Sequence, residues 1–173
     1  MRKSLKGKVI VITGASSGFG RGAAIGFAKH GARLVLGARR EQALADTVGD
    51  CVAAGGEAVA VPTDVGSADD IAALAAEAMQ RYQRFDVWVN NAGGTRRSPF
   101  LESTSEDLDW VINLNLRGPY FMARECGKVM QANGGGKIIN IASLMSVLGR
   151  ATIQPYNATK YAINGAGCVS ACG

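Results

Sequence analysis

The apolar positions of this chain change period at regular intervals. Residues 8–13 (KVIVIT) place Val9, Ile10, Val11 and Ile12 in an unbroken run that ends at Gly14, and a β-branched run of that length reads as a strand covered on both faces. Residues 21–31 (RGAAIGFAKHG) then carry apolar side chains at helical spacing, followed by RLVLGA (33–38), EQALADTVGDCVAAGG (41–56) and EAVAVPTD (57–64). Strand and helix take turns, which is the rhythm of parallel strands joined by helical crossovers.

The second half keeps the alternation. Ser67, with Asp70 three residues on, resembles a capping box built with the shorter acid, and it precedes a stripe of Ile71, Leu74, Ala75 and Ala78. DVWVNNAG (86–93) supplies a fourth strand, a helix is expected from Ser105 to about Asn133, and GKIINIAS (136–143) supplies a fifth strand. Pro155 opens a last helix in its first turn, where a missing N–H is tolerated. Right-handed crossovers would assemble these strands into an open, doubly wound parallel α/β sheet with helices on both faces. With no repeat or linker in view, residues 1–173 read as a single domain. Ligands of such sheets bind beyond the carboxyl ends of the strands. The polar clusters fall there: Gly14 to Gly20 after the first strand, Arg39 and Arg40 after the second, Asp64 after the third, Asn90 to Gly93 after the fourth and Ser143 after the fifth.

Composition narrows the partner classes. At 173 residues and 47% hydrophobic, the chain is long enough to bury a continuous core. Its formal charge of +5 comes from Lys and Arg scattered along the sequence in short pairs such as Arg39-Arg40 and Arg96-Arg97, without a basic helix, which speaks against a nucleic-acid partner. The N-terminus, MRKSLKGKVIVITG, has neither a cleavage site nor an apolar stretch of membrane-spanning length, so no membrane partner is expected. Cys51, Cys126, Cys168 and Cys172 form no CxxC pair, and a cytoplasmic location is expected. Cys168 and Cys172 would share a helix face but have no other soft ligands near them in sequence, so they read as small buried side chains and no metal site is expected. His30 precedes Gly31 at a helix end, where the helix dipole favours a cation and capping is the expected role.

The segment TGASSGFG places Gly14, Ser16, Ser17, Gly18, Phe19 and Gly20 between the first strand and its helix. Glycines there let backbone approach a pyrophosphate closely while helix-terminal N–H groups point at it. The spacing is GxxxGxG, and a tight turn with close helix packing is the alternative reading until the flanking strand and helix are weighed. The second strand ends in GARR. A free ribose 2′-OH needs a carboxylate at that tip, whereas a 2′-phosphate needs cations. Arg39 can take a phosphate with a forked pair of charge-assisted bonds, and Arg40 adds charge or stacks. NADP is therefore expected, with a solvated arginine pair as the alternative.

Together with NNAG (90–93), Ser143 and YNATK (156–160), these segments resemble the short-chain dehydrogenase/reductase family, with four motifs in order from about Leu5 to Lys160. The resemblance implies a Rossmann-type doubly wound sheet and an oxidoreductase that exchanges a hydride between NADP(H) and a small-molecule carbonyl or secondary alcohol. By similarity, Asp64 with Val65 beside it would meet the adenine, and Asn90, Asn91, Ala92 and Gly93 would fix the strand-four turn beside the adenosine ribose. Arg39 falls on the family's arginine marker for NADP, with Ala38 where NAD-preferring members carry aspartate. The four catalytic positions fall on Asn115, Ser143, Tyr156 and Lys160. Asn113 is the alternative asparagine, and Gly118, three residues after Asn115, selects the latter.

Reducing a carbonyl needs a proton donor at its oxygen, and tyrosine, with an ordinary pKa of about 10, needs tuning for that work. Lys160, one helical turn beyond Tyr156, places an ammonium near the phenol, and the charge of an oxidised nicotinamide adds to it, so the tyrosinate form is stabilised. Lys160 is also expected to bond the nicotinamide ribose, and Ser143 to donate to the substrate oxygen as negative charge develops. The resemblance gives Asn115 a water linking Lys160 to solvent. Complete family members continue with two further strands, a proline-glycine turn at the nicotinamide and a substrate lid. This chain is expected to lack them, leaving Ile138, Ile139 and Ile141 on an exposed edge, while the glycine-rich end, GAGCVSACG, is a poor helix interior. Gly94 to Leu101, Leu144 to Ile153 and Trp110 are candidate substrate walls. A non-catalytic NADP-binding module is the competing reading, and the resemblance allows a homo-oligomer paired through the two long helices.

Overall fold

The structure, a computed structural model, describes residues 4–166. Cys168, Cys172 and most of the glycine-rich end therefore lie outside the described residues. Strand β1 (Val9–Thr13) is buried along its whole length and takes the centre of a five-stranded sheet of order β3-β2-β1-β4-β5. Its companions are β2 (Arg33–Ala38), β3 (Glu57–Pro62), β4 (Val87–Asn90) and β5 (Lys137–Asn140). Every neighbouring pair is parallel, and Ile12 lies between Leu36 and Val89. The chain first winds outward from β1 to β3 and then returns to add β4 and β5 on the other side, so the switch point falls between β1 and β4. This is the Rossmann-type arrangement expected.

Alternate residues of β1 serve opposite layers, as the period of a strand requires. Ile10 and Ile12 pack with Ala24 and Ala28 of α1 (Gly18–Ala28) and with Leu44 and Cys51 of α2 (Glu41–Ala53). Val9 and Val11 pack with Leu74 and Ala78 of α3 (Ala68–Tyr82) and with Met122 and Met130 of α5 (Gly118–Ala132). Burial pushes the Cys51 thiol up to about 11 and raises that of Cys126 as well, so both behave as small apolar core groups. Among the described residues no helix is long and apolar enough to cross a membrane.

Four expectations are modified. The helix expected from Ser105 to about Asn133 is divided into α4 (Ser105–Ile112) and α5, with a π turn over Asn113–Arg117 between them. The Gly118 N–H reaches the Asn113 carbonyl, one residue beyond α spacing, and Pro119 has no N–H to offer the carbonyl of Asn115. Gly118 must stay small because a Cβ there would lie 2.6 Å from the Val65 carbonyl oxygen. The α3 cap keeps only one arm of the box: Ser67 Oγ accepts the Asp70 N–H at 3.2 Å, while the Asp70 carboxylate takes the N–H of Asp64 at 2.8 Å. Of the isoleucines expected on an open edge, Ile139 and Ile141 are exposed, but Ile138, on the opposite face of β5, packs against the core. His30 is exposed after α1, and the turn there is carried by Gly31 at φ +77°. The last helix, α6 (Gln154–Ala166), holds Pro155 in its first turn.

Candidate active site

Two cavities lie at the carboxyl ends of the strands, one of about 420 Å³ and one of about 1100 Å³. They meet at Phe19, Asn91 and Gly93, which line both. The glycine loop between them is shaped by close backbone approach. Gly14 stands at φ +66°, where a Cβ would come 2.8 Å from Ala92 Cα, and a Cβ on Gly20 would come 2.5 Å from both Asn91 Nδ2 and the Gly14 carbonyl. Asn91 closes the joint: its side-chain amide donates to the Thr13 and Gly14 carbonyls at 2.9 and 3.2 Å. The N–H groups of Asn91 and Ala92 both reach Thr13 Oγ1 at 3.1 Å. The end of β4 is thus locked to the end of β1. Gly18, at φ +55°, faces open space, and Phe19 is 89% exposed at the rim.

The smaller cavity gathers Gly14, Ser16, Ser17, Arg39, Arg40, Asp64 and Val65 from three strand ends, with Ala92 and Gly93 opposite. Arg40 donates to Ser16 Oγ at 3.2 Å. Arg39 Nη1 lies 4.0 Å from Asp64 Oδ2, both side chains at least half exposed, and Asp64 Oδ1 accepts the Gly66 N–H at 2.9 Å. An exposed pair at that distance holds its partners weakly, so both groups remain free to meet a ligand. Asn90 is not among them. It is buried behind the turn, where it accepts Trp88 Nε1–H at 2.8 Å and donates to Asn140 Oδ1 at 2.8 Å and to the Pro119 carbonyl at 3.2 Å. Expected to help fix the turn after β4, it does so from behind, as a buried polar hub joining β4, β5 and α5.

The larger cavity is lined by Ser143, Tyr156 and Lys160 together with Gly18, Gly20 and Gly93. Lys160 is only 6% exposed. Its Nζ donates to the Ile141 carbonyl at 2.5 Å and stands 5.6 Å from the centroid of the Tyr156 ring. Burial lowers its pKa from the ordinary lysine value, because removing an ammonium from water disfavours the charged form. Ser143 Oγ accepts the Met145 N–H at 3.1 Å, which leaves its hydroxyl proton free to donate.

Asn115 belongs to the same neighbourhood but does not line the cavity. Its amide oxygen accepts the Gly94 N–H at 3.0 Å and its amide nitrogen donates to the Gly94 carbonyl at 2.7 Å. Its side chain thus clamps the turn after β4. Of the candidate walls, Thr95, Arg97, Leu144, Met145, Arg150 and Ile153 face the cavity. Trp110 stands behind it, 3.0 Å from where a Gly94 Cβ would be, with the Arg96 guanidinium 4.8 Å above its ring.

Ser146 escaped the sequence reading. It is buried, accepts the Ser143 N–H at 3.2 Å and donates to the Lys160 carbonyl at 2.7 Å, so it ties the serine turn to the helix of Tyr156 and Lys160. Its signal was the spacing of a capping box with serine in place of the usual Glu or Gln.

The sequence profile of the short chain dehydrogenase family matches residues 8–168. The chain is 36% identical over 163 residues to a 3-oxoacyl-[acyl-carrier-protein] reductase of Synechocystis, across 94% of this chain and 66% of that protein. It is 38% identical over 163 residues to a 2-dehydro-3-deoxy-D-gluconate 5-dehydrogenase of Escherichia coli, across 94% and 64%. Among solved structures, a short chain dehydrogenase/reductase of Burkholderia phymatum in complex with NAD superposes with a TM-score of 0.90 at 36% identity, over 95% of this chain and 59% of that one. The chain spans less than two thirds of the length of each of these proteins.

Proposed function

The chain belongs to the short-chain dehydrogenase family, and from that premise we propose that it binds NADP(H) across the two joined cavities and interconverts a carbonyl and a secondary alcohol. The observation that carries this reading is the meeting of Ser143, Tyr156 and Lys160 with the glycine loop around one cavity.

The residues present fit a dinucleotide. Gly14 to Gly20 provide a loop close to the sheet, with Gly18 open to the cavity, and would hold the pyrophosphate at the start of α1. Arg39 and Arg40 would hold a 2′-phosphate, Asp64 and Val65 the adenine, and Asn91, Ala92 and Gly93 the ribose side. A related structure holds NAD, but here Ala38 precedes two arginines and no carboxylate stands at the tip of β2 for a 2′-OH, which favours NADP. When bound, the dinucleotide supplies or accepts the hydride.

The chain's own groups handle the proton. The Tyr156 hydroxyl gives its proton to the carbonyl oxygen in reduction and takes it back in oxidation, while the Lys160 ammonium favours the phenolate left behind. Ser143 donates its free hydroxyl proton to the same oxygen as charge grows there. Asn115 acts at a distance by holding Gly94, and with it the turn between the cavities.

With NADPH and a panel of ketones and aldehydes, the full chain should oxidise the cofactor, and Tyr156→Phe should lower turnover by about 10²- to 10⁴-fold with NADPH binding unchanged. Undiminished turnover in that variant would overturn the proton-transfer role. NADPH binding without turnover of any carbonyl by the parent chain would favour the non-catalytic module instead.

A further inference from the structure

We propose that the larger cavity receives a substrate with an anionic group, a carboxylate or a phosphate, held by Arg97 and Arg150. This rests on the oxidoreductase reading for the reacting carbonyl and specifies what the other end of the substrate carries.

The first observation is charge without a partner. Arg21, Arg33, Arg39, Arg81, Arg84, Arg96 and Arg124 each stand against a carboxylate, and Arg40 bonds Ser16. Among the described residues, the guanidinium groups of Arg97, Arg117 and Arg150 have no hydrogen-bond or ion-pair partner, and of these three Arg97 and Arg150 line the cavity of Ser143 and Tyr156, where no Asp or Glu lines the wall. Arg96 and Arg97 divide their work. Arg96 is drawn outward to Asp107 at 2.7 Å and stacks on Trp110, whereas Arg97 faces the cavity.

The second observation is that the backbone segments carrying these two arginines are bonded to one another. The Ser98 N–H donates to the Thr152 carbonyl at 3.1 Å, which pins the segment of Arg97 to the segment of Arg150. The Asn157 side chain donates to the Arg150 carbonyl at 2.9 Å, and Asn157 is the residue after Tyr156 on α6. Thr152 adopts φ +66°, a left-handed conformation that a β-branched residue rarely takes unless its surroundings impose it. Both guanidinium groups are therefore carried by segments tied to one another, and that of Arg150 is tied to the helix of Tyr156 as well. Leu144, Met145 and Ile153 make up an apolar stretch of the same wall. A molecule suited to this cavity has a carbonyl at Ser143 and Tyr156, an apolar portion, and an anion able to accept the forked, charge-assisted bonds of arginine.

The test is calorimetric binding to the full chain of straight-chain oxo acids of four to eight carbons, their methyl esters, and dihydroxyacetone phosphate beside dihydroxyacetone. At least one oxo acid should bind about tenfold or more tightly than its methyl ester, or the phosphate by the same factor over dihydroxyacetone, and whichever of the two is preferred identifies the anion. Arg97→Ala with Arg150→Ala should erase that preference, whereas Arg124→Ala on the outer surface should leave it. Equal binding of acids and esters together with no preference for the phosphate, or no binding of any of these compounds, overturns the proposal. So does a preference that survives loss of both arginines or disappears instead with Arg39→Ala and Arg40→Ala, which would place the anion at the dinucleotide phosphates. Turnover is read separately: acid preference without turnover strikes the hydride-transfer reading, and turnover without acid preference strikes this inference alone.

Discussion

The two flanks of β1 hold their shape by different means. On the side of β2 and β3, long strands and helices meet through apolar packing: β2 is buried along five of its six residues, with Leu44, Cys51 and Ala28 over it. On the side of β4 and β5 the strands are four residues long and β5 is only partly buried. To the packing of Phe85, Trp88, Met122 and Met130, that flank adds polar bonds between distant segments, among them Asn90 with Asn140, Asn115 with Gly94, and Ser146 with Lys160. Apolar packing tolerates swaps of similar volume, whereas a buried polar chain loses orientation when one member goes and the rest are left unsatisfied. On the reading proposed above, the side that would place a nucleotide is held mainly by bulk, and the side that would aim the reacting groups is held by bulk and direction together.

The sharpest way to break this contrast is at the joint between the flanks. Gly20→Val would drive side-chain atoms into Asn91 and the Gly14 carbonyl. Overpacking against backbone should remove about 3 kcal/mol or more of stability and abolish NADPH binding. Gly26→Ala, in the same helix with nothing within 4 Å of the new Cβ, should add about 0.5–1 kcal/mol. Thermal melts that hold level or rise alike in both variants would mean that helix propensity, not the joint, decides.

A smaller effect is expected at Ser146. Ser146→Ala leaves the Ser143 N–H without its partner and removes the bond that ties that turn to the Lys160 carbonyl, and should destabilise the chain by about 1–3 kcal/mol. As a positioning residue it should lower kcat by about tenfold with little change in KM. Equal loss in both constants, or loss of stability alone, would reduce it to a structural bond.

The smallest effect is expected at Asp86, beneath both flanks. Burial pushes its carboxyl pKa up, but hydrogen bonds from Lys8, the Val9 N–H and Arg84 outweigh that and hold it below the ordinary value of 3.8. A folded-state pKa below the unfolded one adds stability that is present above the unfolded value and lost as pH falls through the folded value. Asp86→Asn should therefore melt lower near pH 7, by about 1 kcal/mol, and the gap should close as the pH drops below about 4. A gap constant from pH 3 to 7 would show that the charge is not what matters.

Much of the fold was legible because its cues are local. Unbroken β-branched runs marked the strands, helical spacing marked α1 to α3, and the glycine loop announced a turn at the end of β1. The π turn was hidden: residues 105–133 carry helical spacing throughout, and the interruption depends on Gly118 against Val65, which is far away in sequence. Within the candidate site, the spacing of Tyr156 and Lys160 and the strand-tip place of Arg39 and Arg40 marked residues that the structure brings to the two cavities. The buried position of Asn90 and the use of the Asn115 amide were not, because an asparagine's partner is selected by whichever backbone reaches it.

The alternation of strands and helices and the placing of a phenol one helical turn before an ammonium were determined by the sequence itself, since periodicity and i,i+4 spacing are properties of neighbouring residues, whereas the switch point emerged only in the sheet. Tertiary structure alone decided which asparagine is buried, which serine braces the lysine helix and which of two adjacent arginines faces the cavity. Those outcomes depend on contacts between segments such as Gly94 and Asn115, 21 positions apart, or Ser146 and Lys160, 14 apart. Hydrogen-bond geometry assigns such partners only after packing has brought the segments together.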